Sequence, residues 1–271
     1  DFFSLYTLDL RKKIFTKIIR KCNRMSVEII TEGDKVLKAD IARQLFNVDG
    51  TEIKVGIIST SFNAENKLSD DVINAELPGE NNPNGKTTPV QILKDLGQDS
   101  PFADDEGRAL AQIVHDIAPG SELFFHTFIG GEGKDPLNTD DSSYAKAVNS
   151  LVESGVDIIV DDAQFSTTIF QDGEAAQAVE EAVSRGVIYV PAAGNNSDIS
   201  YESEFRPGKT FSLGDITFEA PDFDPENNID VFQDIQVSKE GTTIEPLLGW
   251  DEPIDGVTTG YEMLLLSSPE L

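Results

Sequence analysis

The sequence predicts an α/β fold: a parallel doubly wound sheet with crossover helices, followed by a β-rich stretch. Three observations carry this expectation. Apolar runs of strand length alternate with helical segments between about residues 34 and 195, the order that builds a parallel sheet. The strand runs, such as IKVGIIS and VDIIVDDA, are nearly continuously apolar, as suits strands covered by helices on both faces. After about residue 200 the helical period gives way to short alternating runs with frequent turn signals, a β-sandwich or jelly-roll pattern.

The elements follow in order. DKVLKADIARQLF (34–46) has apolar residues at helical spacing, with Asp34 as its N-cap. VDGTE turns the chain into the strand 53–59. Residues 63–101 are polar and rich in Asn, Asp, Gly and Pro, with NNPNGKTTP as a clear loop signal. A helix is expected from about Asp104 to Ile117, closed by Pro119-Gly120, and a strand over 122–128. Then come a helix over 144–154, a strand over 156–163, a helix over 173–186 and a strand entering Gly194-Asn195. Ligands of such sheets bind at the carboxyl ends of the strands. Those ends are Ser59-Thr60-Ser61, Asp161-Asp162 and Gly194-Asn195.

Charge divides the chain. The formal net charge is −28 over 271 residues. Residues 1–24 nevertheless carry seven of the 21 basic residues against Asp1 and Asp9. The remainder stands near −33, with 14 basic residues facing 47 acids. Such a body offers no nucleic-acid surface, which needs clustered Lys and Arg. No window supplies the ~18 apolar residues of a membrane span. The basic leader lacks the apolar core and cleavage site of a secretory signal. It reads as a disordered tail or a translated upstream stretch ahead of Met25, with an amphipathic membrane-surface helix as the alternative. Three divisions result: the leader 1–24, an α/β part over 25–200, and a β-rich part over 201–271. Cys22 is the single cysteine, so neither an internal disulfide nor a cysteine metal cluster is expected. His115 and His126 do not form a metal-ligand spacing and read as satisfied structural histidines. No calcium loop of the D-x-D-x-D-G type is found, and no Gly-rich phosphate loop follows the first strand.

In their order, these pieces resemble the subtilisin-like serine peptidases, in a branch with a β domain inserted in the catalytic domain. GDKVLKADIARQLFNVDGTEIKVGIISTSFN resembles the opening helix, turn and first catalytic strand. DEGRALAQIVHDIAPGSEL resembles the helix that normally begins with the catalytic His. VDIIVDDAQF and QDGEAAQAVEEAVSRGVIYVPAAGNN resemble the next strand, helix and oxyanion strand, and FDPENNIDVFQDI with GWDEPIDG the inserted domain. The similarity runs over roughly residues 33–270. It implies a subtilisin-like sheet, peptide-bond hydrolysis, a polypeptide substrate or ligand, no cofactor, and a secreted or extracellular setting.

The departures from the family pattern matter as much. Thr60 stands where the family has an Asp, and a hydroxyl cannot supply the charge that steadies a protonated base. Glu106 stands at the base position usually held by His. The related sedolisins use a Glu there with an Asp one turn later, and that later position is Leu110. Asp104 and Asp105 read as helix-capping acids. Gly194-Asn195 matches the subtilisin motif whose Asn donates to the oxyanion, an interaction worth ~3–4 kcal/mol. Asp161 and Asp162 line the cleft in relatives, where they would favour basic substrate residues or orient Glu106. The family's Gly-Thr-Ser nucleophile segment does not occur in the 271 residues, and Ser166, Ser197, Ser200 and Ser267 lie outside any such context. Without an activated nucleophile no acyl transfer follows. Two expectations result: the N-terminal portion of a peptidase, shortened by truncation or decay and inactive as it stands, or a pseudo-peptidase that binds polypeptide or a cell-surface ligand.

Overall fold

The computed structural model describes residues 30–130, 141–163, 173–194 and 201–266, less 225, 238, 242, 245, 247 and 253–255. The leader 1–24, Asn195 and the four serines named above lie outside the described residues. The described residues fall into two units, one running to 163 and including 173–193, the other beginning at 194.

In the first unit, α1 (Glu32–Val36) and α2 (Ala39–Phe46) replace the single helix expected over 34–46. The break is at Lys38, whose φ of 60° is left-handed. Asp34 does not cap a helix. It lies buried inside α1, and Arg43 of α2 donates to its carboxylate at 2.6 and 3.0 Å. The ion pair folds two short helices together where the sequence pattern alone reads as one.

Five parallel strands follow: β1 (Lys54–Ser59), β2 (Gln91–Lys94), β3 (Glu122–Thr127), β4 (Ile158–Asp161) and β5 (Ile188–Val190), in the order β2-β3-β1-β4-β5. Between them lie α3 (Leu68–Ile73), α4 (Glu106–Ile117), α5 (Asp141–Glu153) and α6 (Glu174–Ser184). β1 is central. Lys54 to Ser59 pair with Glu122 to Thr127 on one side, and Val55 to Ile58 with Ile158 to Asp161 on the other.

The strand period of two sorts the core into two faces. Val55, Ile57, Leu123 and Phe125 pack with Ala111 of α4 and Val72 of α3. Ile58, Phe124 and Ile159 pack with Val148 and Leu151 of α5 and Ala182 of α6. Gly56 faces α5, where a Cβ would stand 3.0 Å from Leu151 Cδ1. The glycine lets that helix lie close on the central strand.

α3 and β2 fall inside the stretch expected to be loop. β2 is an edge strand with all four residues exposed, and α3 buries Val72 alone. Neither carries the apolar pattern that marks an element in sequence. In the second unit, β6 (Pro207–Leu213) and β7 (Ile216–Pro221) form an antiparallel hairpin, joined through Gly214 at φ +61°. Phe211 and Phe218 pair across it with ring centroids 5.8 Å apart. Among the described residues this hairpin holds the only strands after residue 200. Val231 is the one buried apolar residue described there.

Candidate active site

The topology points to one end of β1 and β4. After β1 the chain moves towards β2 and β3; after β4 it moves the other way, to β5. Neighbouring strands whose connections diverge open a crevice outside their carboxyl ends. In β1 and β4 those ends are Ser59-Thr60-Ser61 and Asp161-Asp162.

The tip of β1 is bound to the start of α4. Thr60 Oγ1 donates to Asp104 Oδ1 at 2.5 Å, and the same oxygen accepts the backbone N–H of Glu106 at 3.1 Å. Ser61 Oγ donates to the Asp104 carbonyl and accepts the Asp104 N–H at 2.7 Å. Gly107 N–H donates to Ser61 O at 2.9 Å. Thr60 O in turn accepts Thr127 Oγ1 of β3 at 2.5 Å. Every hydroxyl of the Ser-Thr-Ser tip therefore has a partner. Asp104 supplies a carboxylate directly against Thr60. Asp104, expected to cap the helix, lies one residue before the N-cap Asp105 and accepts the Glu106 N–H; its bond to a residue 44 positions earlier has no sequence signal.

Glu106 opens α4 with its side chain exposed. Behind it, Arg108 is buried and bridges Asp71 and Asp105. Burial would lower its pKa, and the two ion pairs more than offset that. Asp105 is thereby engaged with Arg108 and not with the helix N–H groups.

The two acids at the end of β4, Asp161 in the strand and Asp162 just after it, point to opposite faces. Asp161 is buried on the α5 side. Its Oδ2 accepts the hydroxyls of Tyr144, at 2.7 Å, and Tyr189, and its Oδ1 accepts Ala163 N–H at 3.1 Å and Ala192 N–H at 3.4 Å. Asp162 turns to the α4 side, where Ser59 Oγ donates to its Oδ2 at 2.8 Å. Asp162 Oδ1 is buried and has no hydrogen-bond partner among the described residues. Burial pushes both carboxyls up to about 6. For Asp162 the Ser59 bond works against that rise, and the charges of Glu106 and Asp161 add to it.

These shifts fix a pH dependence. A carboxyl raised from 3.8 to about 6 binds more protons in the folded than in the unfolded chain between those values, so stability falls as pH rises through that window. His115, buried and held down to about 4, works in the opposite sense, its contribution growing as pH rises from 4 to 6.5. The variant Asp162→Asn isolates the carboxyl. Relative to the parent chain it should gain roughly 1–2 kcal/mol between pH 4 and pH 7, a figure reduced because Asp162 is partly solvated. Urea midpoints across that range measure it, and a pH-independent difference would contradict the assignment.

His115 lies nine residues along α4 from Glu106, about 13 Å at the helical rise. His126 Nδ1 contacts the Thr127 carbonyl at 2.7 Å, and the ring is buried. Gly194 takes φ +80°, a left-handed turn conformation natural to glycine. Among the described residues no three His, Cys, Asp or Glu side chains converge to hold a metal ion, and no helix is long and apolar enough to cross a membrane.

No protein-family model matches the sequence, and no curated protein does. Solved structures similar to the chain include the self-cleaved protease domain of PatA (TM-score 0.40, 18% identity, covering 55% of this chain and 52% of that one). A lanthipeptide protease matches with a TM-score of 0.39 and 19% identity, over 58% of this chain and 44% of that one. The PatG macrocyclase, solved with a peptide, matches with a TM-score of 0.39 and 12% identity, over 64% of this chain and 60% of that one. The chain thus spans about half the length of the first of these structures. The sequence resembles subtilisin-like peptidases, and solved protease domains are among its structural neighbours.

The geometry also bears on Thr60. Introducing Thr60→Asp would set a second carboxyl against Asp104, whose Oδ1 is 2.5 Å from the present hydroxyl. Two acids that close cannot both ionise. The variant is expected to lose about 1–3 kcal/mol at pH 7 and to recover it as pH falls and one of the pair is protonated. Equal stability at pH 4 and pH 7 relative to the parent would show that the side chains separate.

Proposed function

We propose that the chain carries the N-terminal part of a subtilisin-like serine peptidase domain, and that the 271 residues alone do not hydrolyse peptides. The supporting observation is convergence. The β1 tip with Thr60, the α4 start with Glu106, and Asp162 at the end of β4 meet where the sheet connections diverge. In this reading Glu106 is the general base for a Ser nucleophile on a segment outside these residues. Asp162 is the acid that accompanies Glu106, because it lies on the α4 side and feels the Glu106 charge. Asp161 positions the strand end from the other face. By the resemblance, Asn195, following Gly194, would be the oxyanion donor. The polypeptide lies along the carboxyl ends of β1 and β4, where Asp162 and Glu106 favour basic side chains.

A second reading is a pseudo-peptidase that binds polypeptide without cleaving it. Thr60 favours it, since its hydroxyl is already built into a bond with Asp104.

Fluorophosphonate labelling separates activity from its absence: the 271-residue chain is expected to take no label, and clear labelling would overturn the missing-nucleophile argument. Lysine-containing peptides should shift the amide resonances of residues 59–62, 104–107 and 161–163. Shifts confined to other residues would remove the cleft assignment under both readings.

A further inference from the structure

The second unit carries three aromatic rings joined side by side at its surface. Trp250 and Tyr261 lie with ring centroids 5.1 Å apart and planes at 57°, and Phe205 and Tyr261 with centroids 6.1 Å apart and planes at 58°. Aromatic rings contribute most where they are covered, in cores and interfaces. Here Phe205 is 46% exposed, Tyr261 36%, and Trp250 half-buried.

A carboxylate holds the rings in shape. Glu252 accepts the Trp250 indole N–H at 3.1 Å, the hydroxyls of Thr258 and Thr259 at 2.7 and 2.8 Å, and their backbone N–H groups at 3.2 and 3.0 Å. These donors close the chain from Trp250 to Thr259 around one charge and fix the indole with no core behind it. They hold the Glu252 carboxyl down to about 2, so the charge is present at neutral pH.

Charge selects the partner. The face of an aromatic ring is negative and attracts cations. Residues 201–271 hold 16 acids against Arg206, Lys209 and Lys239. Glu204, Asp251, Glu252 and Glu262 flank the three rings in sequence, and Arg206 is the one cation beside them. Arg206 is turned to other partners, the Tyr201 hydroxyl at 2.8 Å and the Asp222 carbonyl at 3.2 Å. A second copy brings the same excess of acid and is repelled. A Lys or Arg side chain gains from both the rings and the surrounding field, and a guanidinium also stacks flat on a ring.

We propose that Phe205, Trp250 and Tyr261, with Glu252, form a binding platform for basic polypeptide segments. The inference uses residues of the second unit alone and is independent of any peptidase role.

Trp250 is the single tryptophan, so its indole N–H resonance reports on the platform in the full chain. Hexa-arginine should shift that resonance together with the amides of Phe205 and Tyr261, and added salt should weaken the response. Tyr261→Leu keeps the apolar bulk and removes the ring face. Glu252→Gln keeps an acceptor oxygen and removes the charge. Each should raise the Kd read at the indole about three- to fivefold, with the β6 and β7 resonances unmoved to show an intact hairpin. An unmoved indole in the parent chain overturns the proposal, and so does parental affinity in both variants. So do shifts confined to residues 59–62, 104–107 and 161–163, which would place all basic-peptide binding in the cleft of the first unit. An equal response to hexaserine or hexaglutamate would also overturn it, since neither carries the cation that the rings and acids select.

Discussion

Asp161→Ala is expected to destabilise the sheet unit by about 2–4 kcal/mol near pH 5. The carboxyl receives four hydrogen bonds, from Tyr144, Tyr189 and the backbone of Ala163 and Ala192. These tie together α5, the end of β4, β5 and the segment after β5. Removing it leaves two half-buried backbone N–H groups without their acceptor, the costly half of a hydrogen bond. The two tyrosine hydroxyls still face each other, which limits the loss. The cost should shrink at pH 8. There the parent chain holds an ionised carboxylate in a site that pushes its pKa up to about 6, and Ala is relieved of that burden. Asp161→Asn keeps an acceptor for the backbone donors and should lose less than half as much. Urea denaturation at the two pH values measures both, and a larger cost at pH 8 than at pH 5 would reverse the assignment.

Gly107→Ala is the second large effect. A Cβ there would stand 2.4 Å from Phe125 Cε2 and 2.7 Å from the Ser61 carbonyl oxygen. The ring could turn, but the carbonyl belongs to the β1 tip and accepts the Gly107 N–H. Relief requires α4 to move away from β1. Overpacking of this kind costs about 3 kcal/mol, and Ala returns about 1 through helix propensity. A net loss of about 2 kcal/mol is expected, with the amide resonances of Thr60, Ser61 and Glu106 displaced together. An unchanged urea midpoint would mean that the helix and strand tip are less closely joined than they stand.

The parts of this fold legible in sequence are those whose pattern is local. β1, β3 and β4 are short apolar runs between turn signals, and α4 and α6 carry a helical period with glycine or proline near their ends. α1 and α2 read as one helix because the left-handed turn at Lys38 is set by the Asp34–Arg43 pair, a tertiary contact. β2 escapes because none of its four residues is buried. The two faces of β4 could not be assigned beforehand. Which of two adjacent acids meets α4 depends on strand register, and that is fixed only when β4 lies beside β1. Thr60 was recognisable as an absent acid, yet its link to Asp104 spans a loop and a strand, and no spacing rule encodes such a contact.

The order of the strands has a consequence for how the chain is made. β1 is the middle of the sheet but, of its five strands, the first to leave the ribosome. Its partners arrive much later: Lys54 pairs with Glu122, and Val55 with Ile158, 103 residues on. At about 5–20 residues per second, β1 waits on the order of 5–20 s for its second neighbour. Until β3 emerges VGIIS is an apolar segment with both edges open, one edge stays open until β4 follows, and its closure carries the entropy of long loops. Nascent-chain chaperones would therefore meet this protein at its centre, and a pause in translation between β1 and β4 would prolong the exposure.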